Sequence, residues 1–242
     1  MRRIVGGTVL ATAVIVTLLV TAFGSGNTGP IRSTGPAKSA RLLPAGPPQL
    51  RFVATWGTAT QNPLRLQLPI SQERVTAIAY HASGDGALAL DPLGRQSNEG
   101  VFTRLAHRLF GGASAGLPYY QLGGADGPST SGLDVGAAPG TDVYSPVDGT
   151  VVGLSPYVLN GKRYGARIEL QPTGQPSLVV AVTQLEPDPA LAVGSSVSSR
   201  TSKLGTVINL TGVEKQALAR YTQDAGNHVT IELFPAATLT LH

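Results

Sequence analysis

Ser129-Thr130-Ser131-Gly132-Leu133-Asp134-Val135-Gly136-Ala137-Ala138-Pro139-Gly140-Thr141-Asp142-Val143-Tyr144-Ser145-Pro146-Val147-Asp148-Gly149-Thr150-Val151 is the stretch that decides how this chain is read. Two β-type segments, Asp142–Val147 and Thr150–Leu154, meet at Asp148-Gly149, a dipeptide suited to the φ > 0 positions of a tight hairpin turn. Downstream the pattern repeats. Strands are predicted at Ala166–Leu170, Leu178–Gln184, Leu204–Ile208 and His228–Leu233, with turns at Asn160-Gly161 and Thr173-Gly174. Short strands at regular spacing predict a mainly β architecture, a sandwich or barrel over residues 119–242. Val213–Thr222 has helical composition, with Ala217 and Tyr221 aligned, and predicts a helical insertion before the last strand. On that last strand, Asn227-His228-Val229-Thr230-Ile231-Glu232, the two-residue period puts His228 and Thr230 on one face and Val229 and Ile231 on the other.

Taken together these two stretches resemble the lysostaphin-type (LytM-like) zinc endopeptidases of bacterial cell walls. That family's order is His-x-Gly-x-Asp, Gly-Thr-x-Val, Asp-Gly-x-Val, and His-x-His on a final strand. The resemblance covers roughly residues 122–234. Tyr164-Gly165-Ala166-Arg167-Ile168-Glu169 is similar to the family's Tyr-Gly-x-x-Val-x-Ile strand, and Val193-Gly194-Ser195-Ser196-Val197 to its Val-x-x-Gly-Asp-x-Val turn, with Ser195 in place of Asp. Lys203-Leu204-Gly205 matches the Ile-Gly that follows, one residue late.

The resemblance implies a LytM-like β-sandwich or barrel of the duplicated hybrid motif type. It also implies a site that has lost its chemistry. Family members hold zinc with the first His, the Asp and the last His. Those positions here are Thr130, Asp134 and Thr230, so one ligand of three remains. Catalytic zinc needs three protein ligands and one open position for water, and a neutral hydroxyl is a poor ligand for a borderline-soft dication. Of the two assisting His positions, one is Gln184, in Val182-Thr183-Gln184-Leu185, and the other is retained as His228. The implied cofactor is therefore none, or zinc if the site is active. A site rebuilt from Asp134, His228 and a loop carboxylate such as Asp126 or Asp224 stands as an alternative. The plainer reading is that Asp134 and His228 form a hydrogen-bonded pair lining a cleft.

Composition narrows the remaining classes. The chain has 242 residues, no Cys, 30 Gly and 18 Pro, enough for one well-buried domain with accessories and no disulfide. All 14 acidic residues and 13 of the 18 basic ones fall in residues 51–242, so that part is close to neutral. The net charge of +4 is carried by Arg2, Arg3, Arg32, Lys38 and Arg41, which argues against a nucleic-acid surface on the folded domain. No Gly-x-Ser-x-Gly elbow and no Gly-rich phosphate loop occurs.

Ile4–Phe23 is free of charge and follows Arg2-Arg3. As a helix it would span about 30 Å, one hydrocarbon core, with its N-terminus in the cytoplasm. Residues 1–23 are expected to be a transmembrane anchor, or a signal peptide cleaved after Val20-Thr21-Ala22. Residues 24–50, rich in Gly and Pro, read as a linker. Residues 51–118 read as an N-terminal α+β extension. It has a strand over Glu73–Ala82, a turn at Gly84-Asp85-Gly86, a returning strand at Ala87–Leu90, and a helix starting at Ser97 with its stripe on Val101, Leu105 and Leu109. His81 and His107, each without a second ligand at metal spacing, read as structural.

The sequence thus predicts a LytM-like domain, catalytically inactive and held outside the cytoplasmic membrane by an N-terminal helix, or secreted if that segment is cleaved. Its expected partners are peptidoglycan or a cell-wall hydrolase, with no nucleic acid. The alternatives are an active zinc endopeptidase cutting peptidoglycan cross-links and a purely structural envelope module.

Overall fold

The computed structural model describes residues 52–58, 62–84, 86–98, 117–123 and 129–238, all within the compact unit Gly46–His242. The expected membrane segment, the linker, Asp126 and the helical stripe on Val101, Leu105 and Leu109, with His107, lie outside the described residues. Among the described residues, no helix is long and apolar enough to cross a membrane.

The described part is mainly β. Its strands in order are β1 Phe52–Trp56, β2 Leu64–Gln67, β3 Ala77–His81, β4 Asp91–Pro92, β5 Tyr120–Gln121, β6 Gly132–Gly136, β7 Asp142–Tyr144, β8 Gly149–Leu159, β9 Lys162–Pro172, β10 Leu178–Pro187, β11 Ser196–Val197, β12 Lys203–Val207 and β13 His228–Pro235. A small sheet has the order β2-β1-β4, and a large one runs β11-β8-β9-β10-β13-β6-β3-β5, with β12 pairing with both β10 and β7. All pairs are antiparallel except β3 with β5.

One apolar core joins the two sheets. Val53 and Leu66 of the small sheet share a cluster with Tyr80, Leu133, Val135, Val180, Val182, Val229 and Ile231 of the large one. The Tyr80 hydroxyl donates to the Val53 carbonyl at 2.7 Å and fixes that contact. The two-residue period does the sorting. Leu133 and Val135 on β6, and Val229, Ile231 and Leu233 on β13, enter the core, which leaves Asp134, His228, Thr230 and Glu232 on the opposite face. The β8–β9 hairpin closes through Asn160 (φ 51°) and Gly161 (φ 75°), the left-handed pair that Asn-Gly favours.

Four sequence expectations are corrected. Asp148-Gly149 is not a hairpin turn: Gly149 opens β8 in close contact with the Gln171 carbonyl, and β7 pairs with β12 rather than with β8. The segment 87–90 is not a strand; β4 begins at Asp91 and has two residues. The strand expected from Glu73 starts at Ala77, after a 3-10 turn at Gln72–Arg74. Val213–Thr222 is not a helix; only Ala217–Arg220 forms a 3-10 turn. Gln216 supplies no capping hydrogen bond, and the segment is anchored by Leu218, buried against Ala77, Ala79 and Leu122. A short segment without a cap does not sustain helix nucleation, and packing decides its shape. β1 and β2 were not anticipated, because Phe52–Gln67 lies next to a Gly/Pro-rich stretch. β3, placed by sequence in the extension, is an inner strand of the large sheet, between β6 and β5.

Candidate functional site

The polar face of β3, β6, β10 and β13 is the floor of a cleft of about 510 Å³. Pro156, Tyr157 and Val158 of β8 form one wall, and Glu214, Lys215, Gln216 and Ala217 of the β12–β13 connection form another.

Asp134 lies at the centre of the floor and is 4% exposed. Its neighbours follow from strand register. Thr230 is directly opposite it across β13, and Ala79 is opposite it across β3. The Thr230 hydroxyl donates to Asp134 Oδ1 at 2.8 Å. His228, one pair along β13, brings its Nε2 to 3.5 Å from the same oxygen. His81, opposite Gly132, reaches diagonally to place its Nε2 3.2 Å from Asp134 Oδ1. A Cβ at Gly132 would run into the His81 ring, so the bare glycine is what makes room for the imidazole against β6.

Both His81 nitrogens face oxygens that only accept. Nδ1 is 2.7 Å from the Ala82 carbonyl, and Nε2 faces the carboxylate. A neutral imidazole has one donor and one acceptor, so this setting favours the doubly protonated ring. The hydrogen bond to Asp134 lifts the His81 pKa to about 9 against a smaller opposing effect of burial; the Asp134 charge, the Ala82 carbonyl and Glu232 add to the rise. Burial would raise the Asp134 carboxyl, but the charges of His228 and His81 and the hydrogen bonds from His81 and Thr230 outweigh it and hold the group below its ordinary value. The Tyr157 phenol is raised, by burial first and then by the nearby Glu214.

A second group of charges continues the floor. Glu232 accepts from the Ser83 hydroxyl and, at 3.1 Å, from Arg167 Nη1, while Arg167 Nε donates to Glu169 at 3.0 Å. The Arg167 guanidinium also sits 5.0 Å from the Phe234 ring centroid.

Gln184 enters the cleft through a break in the strand period. Val180 and Val182 face the core, and strict alternation would send residue 184 there too. Instead the β9–β10 register shifts between Val182 and Leu185, Gln184 adopts φ 64°, and Leu185 takes the core position. Thr183 and Gln184 therefore both line the cleft. Gln184 Oε1 is buried and, among the described residues, has no hydrogen-bond partner.

Asp134, His228, Thr230 and Gln184, named from the sequence, converge on this cleft. Thr130 does not line it; its carbonyl accepts from Leu90 N at 3.1 Å in the turn before β6. Asp224 does not line it either, and its Oδ1 accepts from Gly226 N at 2.9 Å. His81, read as structural, is the residue that the sequence reading missed. Its signal was indirect, a Gly two residues before Asp134, and its pairing partner lies some 50 residues downstream.

The zinc that the resemblance implies does not fit these donors. Of the family's three ligand positions, Thr230 spends its hydroxyl on Asp134 and Thr130 stands outside the cleft. Both His81 nitrogens face acceptor oxygens, which leaves His228, with its Nδ1 2.8 Å from the Gly226 carbonyl and its Nε2 toward Asp134, as the one imidazole among the described residues oriented like a ligand. No group of three or more metal-type ligands is assembled among the described residues.

No protein-family model matches the sequence, and no curated protein sequence does either. Solved structures are similar to the chain. Lysostaphin aligns with a TM-score of 0.33 at 14% identity, covering 46% of this chain and 38% of its own. The M23 metalloprotease pseudoalterin from the deep sea aligns with a TM-score of 0.36 at 16% identity, covering 73% and 75%. Csd3 of Helicobacter pylori aligns with a TM-score of 0.32 at 13% identity, covering 75% and 37%. This chain therefore spans under two fifths of lysostaphin and of Csd3.

Proposed function

We infer that this chain is a LytM-like domain that binds a peptidoglycan stem peptide in the cleft around Asp134 and does not cut it. The observation that carries the reading is the closed state of the one retained family ligand. Asp134 Oδ1 is met by His81, Thr230 and His228, all from the chain itself. A carboxylate so engaged is a structural anchor, and water activation by a metal has no ligand set to support it.

Binding is supported by the shape and chemistry of the cleft. A volume of about 510 Å³ is in the range of small-ligand sites. Its floor offers Thr183, Gln184 and His228 for hydrogen bonds, and its walls offer Tyr157, Val158 and the stem of Lys215 for apolar contact. A short peptide with amide groups at regular spacing suits that mixture. The N-terminal apolar segment would hold the domain at the outer face of the cytoplasmic membrane, within reach of the wall.

Full-length chain incubated with purified, insoluble peptidoglycan tests both halves. Sedimentation with the wall, weakened by Gln184→Ala and Tyr157→Ala, is expected. The absence of sedimentation at micromolar protein would remove peptidoglycan as the ligand and leave a protein partner, such as a hydrolase, as the occupant. Release of soluble fragments that stops on adding a chelator would make the chain an active metallopeptidase.

A further inference from the structure

The floor of the cleft holds an imidazole that none of the family motifs supplies. On a strand, residues two apart share a face, so Gly132 and Asp134 point the same way from β6, and Thr130 lies in the turn just before it. In the family's motif the first zinc ligand precedes the Asp by four residues, with the Gly between them. In this chain the His81 ring lies over Gly132, within the volume that a Cβ there would claim, and touches Asp134. It comes from β3, a strand upstream of every motif that the family resemblance covers. Its two nitrogens both face acceptors, the Ala82 carbonyl and the Asp134 carboxylate.

We propose that His81 stands in the place of the metal: its ring fills the space above Gly132, takes up the contact to Asp134, and so closes the site to zinc. The proposal rests on the reading of the chain as a non-cutting member of its fold, and it adds the device responsible. Loss of two ligands makes zinc binding weak. A resident imidazole that must first be displaced from Asp134 and from the space above Gly132 makes it weaker still. Repairing the family motif at Thr130 and Thr230 is then not sufficient. The ring of His81 must also leave.

The test uses four full-length proteins: wild type, His81→Gln, Thr130→His with Thr230→His, and that pair combined with His81→Gln. Zinc affinity is read by competition with a chromogenic chelator, and folding by thermal melting. Wild type and His81→Gln should bind no stoichiometric zinc. The repaired pair should bind roughly 100-fold or more weakly than the same pair lacking His81. Equal affinity for the two repaired proteins would overturn the proposal and leave the reading of a non-cutting domain intact. One zinc per wild-type chain, lost in His81→Gln, would make His81 a ligand, and both would fall. Should the combined variant not melt cooperatively, NMR of the wild type decides the matter. The His81 ring protons should show through-space contacts to the Gly132 α-protons, and their absence would overturn the proposal.

Discussion

His81 Nε2 and Asp134 Oδ1 stand 3.2 Å apart, and this contact joins residues 53 positions apart on adjacent strands. It makes stability depend on pH with a defined sign. The His81 pKa rises to about 9, so its contribution is complete below the ordinary value of 6.5 and is lost as pH climbs through 9. The Asp134 carboxyl is held low, so its contribution is complete above the ordinary carboxylate value and is lost as pH falls toward the lowered one. Urea unfolding at pH 6 and pH 9.5 should differ by on the order of 2–3 kcal/mol, and His81→Gln should flatten that alkaline fall. An alkaline limb equally steep in the variant would contradict the assignment.

Asp134→Asn removes the acceptor charge and keeps the shape. His81 is then left with a proton that has no counter-charge, and one partner of a buried pair commonly costs about 3–5 kcal/mol when it is removed alone. A double-mutant cycle with His81→Gln checks the cause. The two losses should fall well short of additive, and strict additivity would mean that the residues do not act on each other.

Gly132→Ala places a methyl group against the His81 ring. The ring has to move, and overpacking of this kind typically costs about 1–3 kcal/mol. The same change should lower the His81 pKa in an NMR titration, since the hydrogen bond to Asp134 lengthens. A stable variant with an unmoved His81 resonance would show that the glycine serves another purpose.

Much of this architecture is legible in the sequence, and the reasons for the rest are specific. β8, β9, β10 and β13 follow from alternation punctuated by Asn160-Gly161 and Thr173-Gly174, which are local signals, whereas Asp148-Gly149 marks the start of β8 and no hairpin. The family resemblance names Thr130, Asp134, His228, Thr230 and Gln184, and all but Thr130 share a cleft. The β3–β6 pairing is non-local, so nothing near His81 announces Asp134. Gln184 reaches the cleft only because a bulge reverses its face, and a strict two-residue period would have buried it. The missing helix at 213–222 is a case of packing around Leu218 overriding composition.

Gln184 also makes an unusual prediction about stability. Its φ of 64° strains any residue with a Cβ, and its Oε1 is buried without a partner among the described residues. Gln184→Gly relieves both, so the melting temperature should hold or rise, by up to about 1 kcal/mol in free energy. The same change deletes an amide from the cleft and should weaken binding of stem peptide. A marked loss of stability would mean that the side chain is held by contacts worth more than the strain.

The most direct test of the central claim is an intact-mass measurement on a defined, cross-linked stem-peptide dimer incubated with the full-length chain and equimolar zinc. A domain that binds without cutting returns the dimer at its original mass after prolonged incubation, with part of it retained on the protein. Peptide fragments that appear with time and vanish when a chelator is added would contradict the account.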